Sequence, residues 1–392
     1  MPWRQTSPMD QRTQFIADFL RYDLSFTELC EQFNISRKSG YKWIERYAQE
    51  GPSGLTERSR RPHSCSHQTP EEIVQVIVEA RQRHPSWGAK KLLAILVKRH
   101  PDWPWPARAT VCDILSRHEL VVTPRKRRHI GHPGKPTSTI AAPNDLWCAD
   151  FKGQFKTGDG IYCYPLTVTD AYSRYLLGCQ GLPSTAVAGA KPVFARLFHE
   201  FGLPLRIRTD NGVPFATNTL ARLSSLSAWW VRLGILPELI EPGKPQQNGS
   251  HERMHKTLKA ETTLPPSHTR RAQQRRFNRF RDEFNNERPH EALDQNTPAS
   301  AYQLSPRPMP SPLPPLDYPS HFELRYVSFN GGIRWNRNWV NVSITCAGEY
   351  VGLEEVDNGV WNVYFGALKL GRLLEEHMRI EDQYGKLTRH KR

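Results

Sequence analysis

Apolar residues recur at helical spacing through the first fifty positions: Phe15, Ile16, Phe19 and Leu20, then Phe26, Leu29, Cys30 and Phe33, then Tyr41, Trp43, Ile44 and Tyr47. The pattern predicts three short helices between residues 10 and 48. Asn34-Ile35-Ser36 supplies a turn and an N-cap, and Arg37, Lys38, Tyr41 and Lys42 fall on the helix that follows, the layout of a helix-turn-helix whose second helix enters a DNA groove. A small bundle with a basic solvated face fits the same residues. A second helical group follows. Thr69-Pro-Glu-Glu72 reads as a helix start ahead of Ile73, Val76, Ile77 and Ala80; Trp87 to Lys91 opens another helix through Leu92, Leu93 and Leu96; Thr110 is expected to cap a third carrying Val111, Ile114 and Leu115.

From residue 143 the period changes. Strands are predicted through 146–155, 162–170 and 175–180, followed by a helix over 185–201, a strand over 205–209, a helix over 218–233 and a short strand at Leu239-Ile240. Strands first, then alternating helix and strand, imply a mixed sheet covered on both faces. Arg270 to Arg281 is a basic helix with Phe277 and Phe280 beneath it, suited to DNA or to a second subunit. Residues 321–376 alternate Val, Ile, Tyr and Trp with Gly-containing turns, which predicts a small antiparallel β-barrel. Its Trp335, Trp339 and Trp361 suit either base stacking or barrel packing.

Linkers divide these groups. The boundaries are a helical module over 1–54, a basic linker over 55–69, a second helical module over 70–122, a basic linker over 123–142, an α/β core over 143–304, a proline-rich linker over 305–320, the barrel over 321–380 and a basic tail over 381–392. Arg125, Lys126, Arg127 and Arg128 in the second linker join Arg37, Lys38 and Lys42 as candidate DNA contacts.

Charge sharpens the expectation. Across 392 residues Lys and Arg exceed Asp and Glu by 15, so polyanions, nucleic acid above all, are the expected partners. No apolar run reaches membrane-spanning length and the N-terminus opens no signal peptide, which predicts a cytoplasmic protein without a membrane partner. The seven cysteines are scattered without a Cys-x-x-Cys pair and are expected to be reduced. His63-Ser-Cys65-Ser-His67 has no second ligand pair at zinc spacing.

Three acids close short runs: Asp150 after Leu146-Trp-Cys-Ala, Asp210 after Ile207-Arg-Thr, and Glu252 after Asn248-Gly-Ser-His. The first two read as carboxylates at strand ends, the third as a residue in the first turn of a helix whose Glu252, His255, Lys256 and Lys259 share one face. Singly, each has an ordinary reading: Asp150 a turn cap, Asp210-Asn-Gly a hairpin corner, Glu252 a solvated partner of Lys256. Brought together, three carboxylates repel one another and divalent cations relieve the repulsion. A pair of Mg²⁺ ions in such a site, with Mn²⁺ as a substitute, does phosphodiester chemistry. Lys256 and Lys259 would meet the DNA backbone.

The runs LWCADF, RTDNGVPF and EPGKPQQNGSHERMHKTLK resemble the signature of the DDE integrase-like insertion-sequence transposases, relatives of the retroviral integrases. The resemblance is strong over residues 143–300. It implies a multidomain protein: tandem α-helical helix-turn-helix modules, an α/β ribonuclease H-like catalytic core and the small C-terminal barrel. It also implies that Asp150, Asp210 and Glu252 are the catalytic, metal-binding acids. Asp170 is left out, because the matching Asp of Asp-x-Tyr-Ser-Arg runs in this family is a turn residue. Glu252 stands 42 positions after Asp210, longer than the familiar spacing, and the extra length is expected as a longer helix within 220–234. The implied activity is metal-dependent hydrolysis at transposon ends and transfer of the 3′-hydroxyl into target DNA, by a dimer or larger assembly on DNA. A ribonuclease H-like nuclease without strand joining and a catalytically inert DNA-binding regulator are the alternatives.

Overall fold

The computed structural model describes residues 7–59, 68–121, 139–241 and 245–388, with the side chains of Pro245 and Gln246 set aside. The chain divides into two compact units, residues 1–69 and 70–392.

In the first unit, helices α1 (Pro8–Arg21), α2 (Phe26–Gln32) and α3 (Arg37–Glu50) form the expected trio. Ser7 and Ser25 each close a capping box with the acid three residues on, and the Ser36 hydroxyl accepts from the Ser39 N–H at the start of α3. Asn34 adopts φ 50° in the turn before α3, a backbone conformation that Asn tolerates better than most residues. Phe15, Ile16, Leu29, Cys30 and Trp43 bury the interior. A Cβ on Gly40 would lie 2.8 Å from Cys30 Sγ, so the glycine permits the close approach of α3 to α2.

The second unit opens with α4 (Glu71–Arg83), α5 (Ala89–Arg99) and α6 (Arg108–Arg117), packed around Ile77, Trp87, Leu92, Leu96, Val111 and Ile114. Neither Thr69 nor Thr110 caps a helix: α4 starts behind Pro70 and α6 behind Ala107, with no side-chain cap, so Thr110 lies inside the first turn. This module is fastened to the core. His84 Nδ1 lies 2.9 Å from Glu283, Lys98 Nζ donates to Asn296 at 3.0 Å, Lys90 pairs with Glu291, and Ser86 donates to Glu261.

The core sheet is mixed, as the pattern of elements predicts. Its strands are β1 (Leu146–Phe151), β2 (Phe155–Lys156), β3 (Tyr162–Asp170), β4 (Leu176–Leu182), β5 (Arg206–Thr209) and β6 (Leu236–Leu239), in the order β2-β3-β1-β5-β6 with β4 beside β3. Strand β1 runs antiparallel to β3 and parallel to β5. Side chains alternate between faces. Trp147, Ala149, Leu166, Val168 and Ile207 meet Phe194, Phe198 and Trp230 of α7 (Val187–Phe201) and α8 (Ser225–Arg232). The other face receives α9 (Gly249–Thr262) and α10 (Arg270–Asn286), whose Met254, Leu258, Phe277, Phe280 and Phe284 pack with Cys163, Leu176 and Cys179. A four-residue helix, α11 (Pro298–Ala301), follows.

The single helix expected over 218–233 is broken. A 3-10 turn at Leu220–Arg222 comes first, Ala221 and Arg222 take φ of 51° and 54°, and the chain restarts as α8 behind the capping box of Ser224 with Ser227. Two successive left-handed residues cannot continue a right-handed helix.

Beyond α11 the proline-dense stretch has no regular secondary structure but is pinned to the core. The guanidinium of Arg307 donates to the carbonyls of Pro204 and Gly234, and Met309 and Leu313 pack on the main hydrophobic cluster. The C-terminal strands are β7 (Glu323–Tyr326), β8 (Gly332–Trp335), β9 (Asn338–Asn341), β10 (Tyr350–Asp357), β11 (Val360–Phe365), β12 (Leu368–Leu374) and β13 (Arg379–Glu381). They form an antiparallel sheet ordered β13-β12-β11-β10-β7 and a β8-β9 hairpin. The antiparallel character matches the sequence reading; these pairings do not show a closed barrel. Packing takes Trp335 and Trp361, whose indole N–H groups both donate to Glu375 Oε1, at 2.8 and 2.9 Å.

Candidate active site

The parallel register of β1 and β5 sets the site. Cys148 lies opposite Arg208, so two residues further along the same register Asp150 and Asp210 stand at neighbouring strand ends. Alternation turns Asp150 away from the Trp147 side and toward α9, next to Thr167, its partner on β3.

Helix α9 is held on that face by two buried histidines. His251 lies 2.8 Å from Thr167 Oγ1 through Nε2 and 2.7 Å from Thr169 Oγ1 through Nδ1; His255 Nε2 lies 2.6 Å from Thr167 Oγ1. The Nδ1 of His255 is 3.7 Å from Asp150 Oδ2. Burial pushes the histidines down to about 3 and about 2, so both are neutral. The sequence reading placed His255 on one face with Glu252, Lys256 and Lys259. In the fold His255 is buried with His251, Met254 and Leu258, while Glu252, Lys256 and Lys259 are exposed.

Electrostatics ties the acids together. Burial, then the neighbouring Asp210 and, more weakly, Glu252 raise Asp150 to about 7, against the Phe151 N–H and Lys152. Burial also raises Asp210, opposed by the Gly212 N–H, which donates to Oδ1 at 3.2 Å. A Cβ on Gly212 would stand 3.0 Å from Asp210 Oδ2. Among the described residues no three His, Cys, Asp or Glu side chains are gathered closely enough to hold an ion. The donors are nonetheless hard carboxylate oxygens whose mutual repulsion a divalent cation relieves, the class that Mg²⁺ takes.

Asp170 is occupied elsewhere. Its Oδ1 accepts from the Asn144 N–H at 2.7 Å, and its Oδ2 accepts from the Ser173 N–H and hydroxyl at 2.8 and 2.6 Å, which makes it a buried turn residue. Sequence reasoning missed two supports. Arg208, buried beside Asp210, donates to Glu238 at 2.6 Å and to the Gln247 carbonyl at 3.0 Å. Gln247 in turn exchanges hydrogen bonds with Glu241 across the intervening loop. Thus the strand that leads to Asp210 also ties down the approach to α9.

Of the candidate DNA contacts, Arg37, Lys38 and Lys42 are exposed along α3 with Tyr41 and Glu45, and the Lys42 ammonium lies 4.1 Å from the Trp43 ring centroid. Arg125, Lys126, Arg127 and Arg128 lie outside the described residues, as do His63, Cys65 and His67.

Parts of this chain are similar to known proteins. Integrase core domain models match residues 141–245 and 233–298, a helix-turn-helix domain model matches residues 11–63, and a homeodomain-like domain model matches residues 39–115. An uncharacterized 39.2 kDa protein of insertion element IS476 from Xanthomonas euvesicatoria is 30% identical over 232 residues, covering 57% of this chain and 62% of its own length. An uncharacterized 31.7 kDa protein of insertion element IS407 from Burkholderia multivorans is 28% identical over 186 residues, covering 45% of this chain and 61% of its own length. The chain thus spans about three fifths of the length of these curated relatives. The catalytic core domain of HTLV-2 integrase in complex with magnesium aligns with 41% of this chain and 98% of its own at 15% identity, with a TM-score of 0.32. Residues 141–298 thus match integrase core domains, and the chain is similar to proteins of bacterial insertion elements.

Proposed function

We propose that this protein is a DNA transposase that hydrolyses a phosphodiester at each transposon end and joins the freed 3′-hydroxyl to target DNA. The observation that carries the reading is the β1–β5 register, which sets Asp150 beside Asp210, with Glu252 of α9 within electrostatic reach. Asp150, Asp210 and Glu252 would hold Mg²⁺, or Mn²⁺ in its place, as a two-ion site that, when loaded, activates the attacking oxygen and stabilises the leaving one.

The chain's own residues do the rest. Asp150 and Asp210 are positioned by strand register, and His255 lies 3.7 Å from the Asp150 carboxylate where α9 meets the sheet. Lys256 and Lys259, exposed one and two turns beyond Glu252, take backbone phosphates as point charges. Arg37, Lys38 and Lys42 read the end sequence from α3, with Arg125 to Arg128 tracking the flanking strand. Attack is in line and needs no covalent protein intermediate. Joining two ends to one target requires at least two copies of the chain on DNA. The setting is the bacterial cytoplasm; among the described residues no helix is long and apolar enough to cross a membrane.

The test incubates the protein with labelled duplexes carrying the element's terminal repeats, a supercoiled target plasmid and Mg²⁺. Joined products are expected, and Asp210→Asn should abolish them while still binding the duplex. Cleavage without joining would make the chain a nuclease, and binding alone a regulator. Joining by the Asp210→Asn protein would remove the assignment of the acids.

A further inference from the structure

A cavity of about 270 Å³ opens on the flank of α9 that carries Ser250, Arg253 and Thr257. Four cations from four separate stretches line it: Lys91 of α5, Arg174 of the turn after β3, Arg253 of α9 and Arg288 beyond α10, with His290 beside them. Their charges act on one another, Lys91 on Arg288 and Arg174 on Arg253. The acids nearby are committed. Asp170 spends both oxygens on Asn144 and Ser173, Glu261 pairs with Arg288 at 2.8 Å, and Glu291 pairs with Lys90. His290 adds no negative charge, and its Nε2 is buried without a partner among the described residues. Desolvation and the Arg288 charge lower Lys91 to about 8, which is what a cation lacking a sufficient counter-charge experiences.

Lys91, Arg174 and Arg253 form no ion pair among the described residues, and gathering them beside Arg288 round one hollow, even with Asp170 and Glu291 in its wall, favours an anion. Guanidinium forks and an ammonium suit the oxygens of a phosphate. We propose that this hollow seats one internucleotide phosphate of a DNA strand, so that α5 of the second helical module and α9 of the core grip the same group. The inference rests on the reading of the chain as a DNA-processing protein and deepens it: the helical module and the core share a contact.

The test is equilibrium binding of a fluorescein-labelled, random-sequence duplex to the full chain in EDTA, followed by anisotropy between about 50 and 200 mM NaCl. Arg253→Glu and Lys91→Gln are each expected to flatten the slope of log K against log salt by about 0.9, the share of one phosphate. The double variant should flatten it no further. Arg253→Lys, which keeps the charge, should restore the slope. Should Lys91→Gln fail to fold, judged by its thermal midpoint, Arg174→Gln takes its place. Slopes parallel to the parent protein would overturn the proposal. A double variant that loses twice the slope would also overturn it, since two separate phosphates would then be held. If millimolar inorganic phosphate raises the melting temperature of the parent but not of Arg253→Glu, with duplex slopes unchanged, the hollow takes free phosphate and the DNA assignment falls. A chain that gives the expected slopes yet joins no strands in Mg²⁺ keeps this seat while losing the transposase reading.

Discussion

The Nδ1 of His255 lies 3.7 Å from Oδ2 of Asp150, and the ring is held there by its other nitrogen, 2.6 Å from the Thr167 hydroxyl. A neutral histidine thus stands between the sheet and the helix that carry the proposed acids. It lies beside one carboxylate and anchors the element that bears another. Replacing it with alanine would leave a void and remove one of the hydrogen bonds of the Thr167 hydroxyl, which keeps His251 and the Asp150 carbonyl, at a cost of about 2 kcal/mol. His255→Ala should lower the urea midpoint accordingly and slow strand joining at least tenfold, with the affinity for duplex DNA unchanged. An unaltered joining rate would leave the histidine a packing role alone.

Gly212 makes a sharper test, because it stands in the turn directly beyond Asp210. Its N–H donates to Asp210, and an added methyl would sit 3.0 Å from the other carboxylate oxygen. Gly212→Ala should displace that oxygen by a few tenths of an ångström and cut joining by about tenfold or more, since small misplacements at a reacting centre are costly. Unfolding curves of the two proteins should superimpose.

Arg208 is buried, and its guanidinium holds both Glu238 and the Gln247 carbonyl. Glutamine in its place removes the charged donor to the loop carbonyl and to Glu238, which keeps its 3.7 Å pair with Arg206, costing about 2 kcal/mol. Lysine should recover only part, because it lacks the planar fork. Limited proteolysis should show cleavage between Glu241 and Gln247 rising in the glutamine protein before global unfolding.

His290 supplies the pH dependence. Burial, with Lys91 and Arg288 nearby, lowers it from 6.5 to about 3. The unfolded chain therefore takes up a proton that the folded chain refuses, so stability is full above pH 6.5 and falls as the pH drops toward 3. At pH 5 the loss is at most about 2 kcal/mol. His290→Gln should flatten the change in denaturation free energy between pH 7 and pH 5.

The position of Asp150 and Asp210 at neighbouring strand ends is legible along the chain, because each closes a short strand-forming run followed by glycine or lysine. The buried stripe of α9 is not. It reads 251, 254, 255, 258 and 262, but two of its five members are histidines and one is a threonine, so a search for apolar period sees only Met254 and Leu258 and assigns His255 to the charged face. The histidines are buried because Thr167 and Thr169, more than eighty residues earlier, offer hydroxyls at the right height on β3. That is a pairing across the sheet to which local spacing is blind. The same holds for the broken helix at 220–233, where alanine and arginine in left-handed conformations leave no compositional trace. The proline-dense stretch shows the converse: its lack of helix and strand is plain in composition, while its attachment through Arg307 depends on carbonyls contributed by distant turns.

The fastening of α4 and α5 to the core through His84, Ser86, Lys90 and Lys98 acts on the reading proposed here like a surveyor's fixed rod. Bases touched by the second helical module would lie at a set count from the phosphate that is cut. Inserting a single base pair between the two would advance the duplex by about 3.4 Å and turn it by roughly a tenth of a revolution, carrying the scissile bond off the acids even with every recognised base intact.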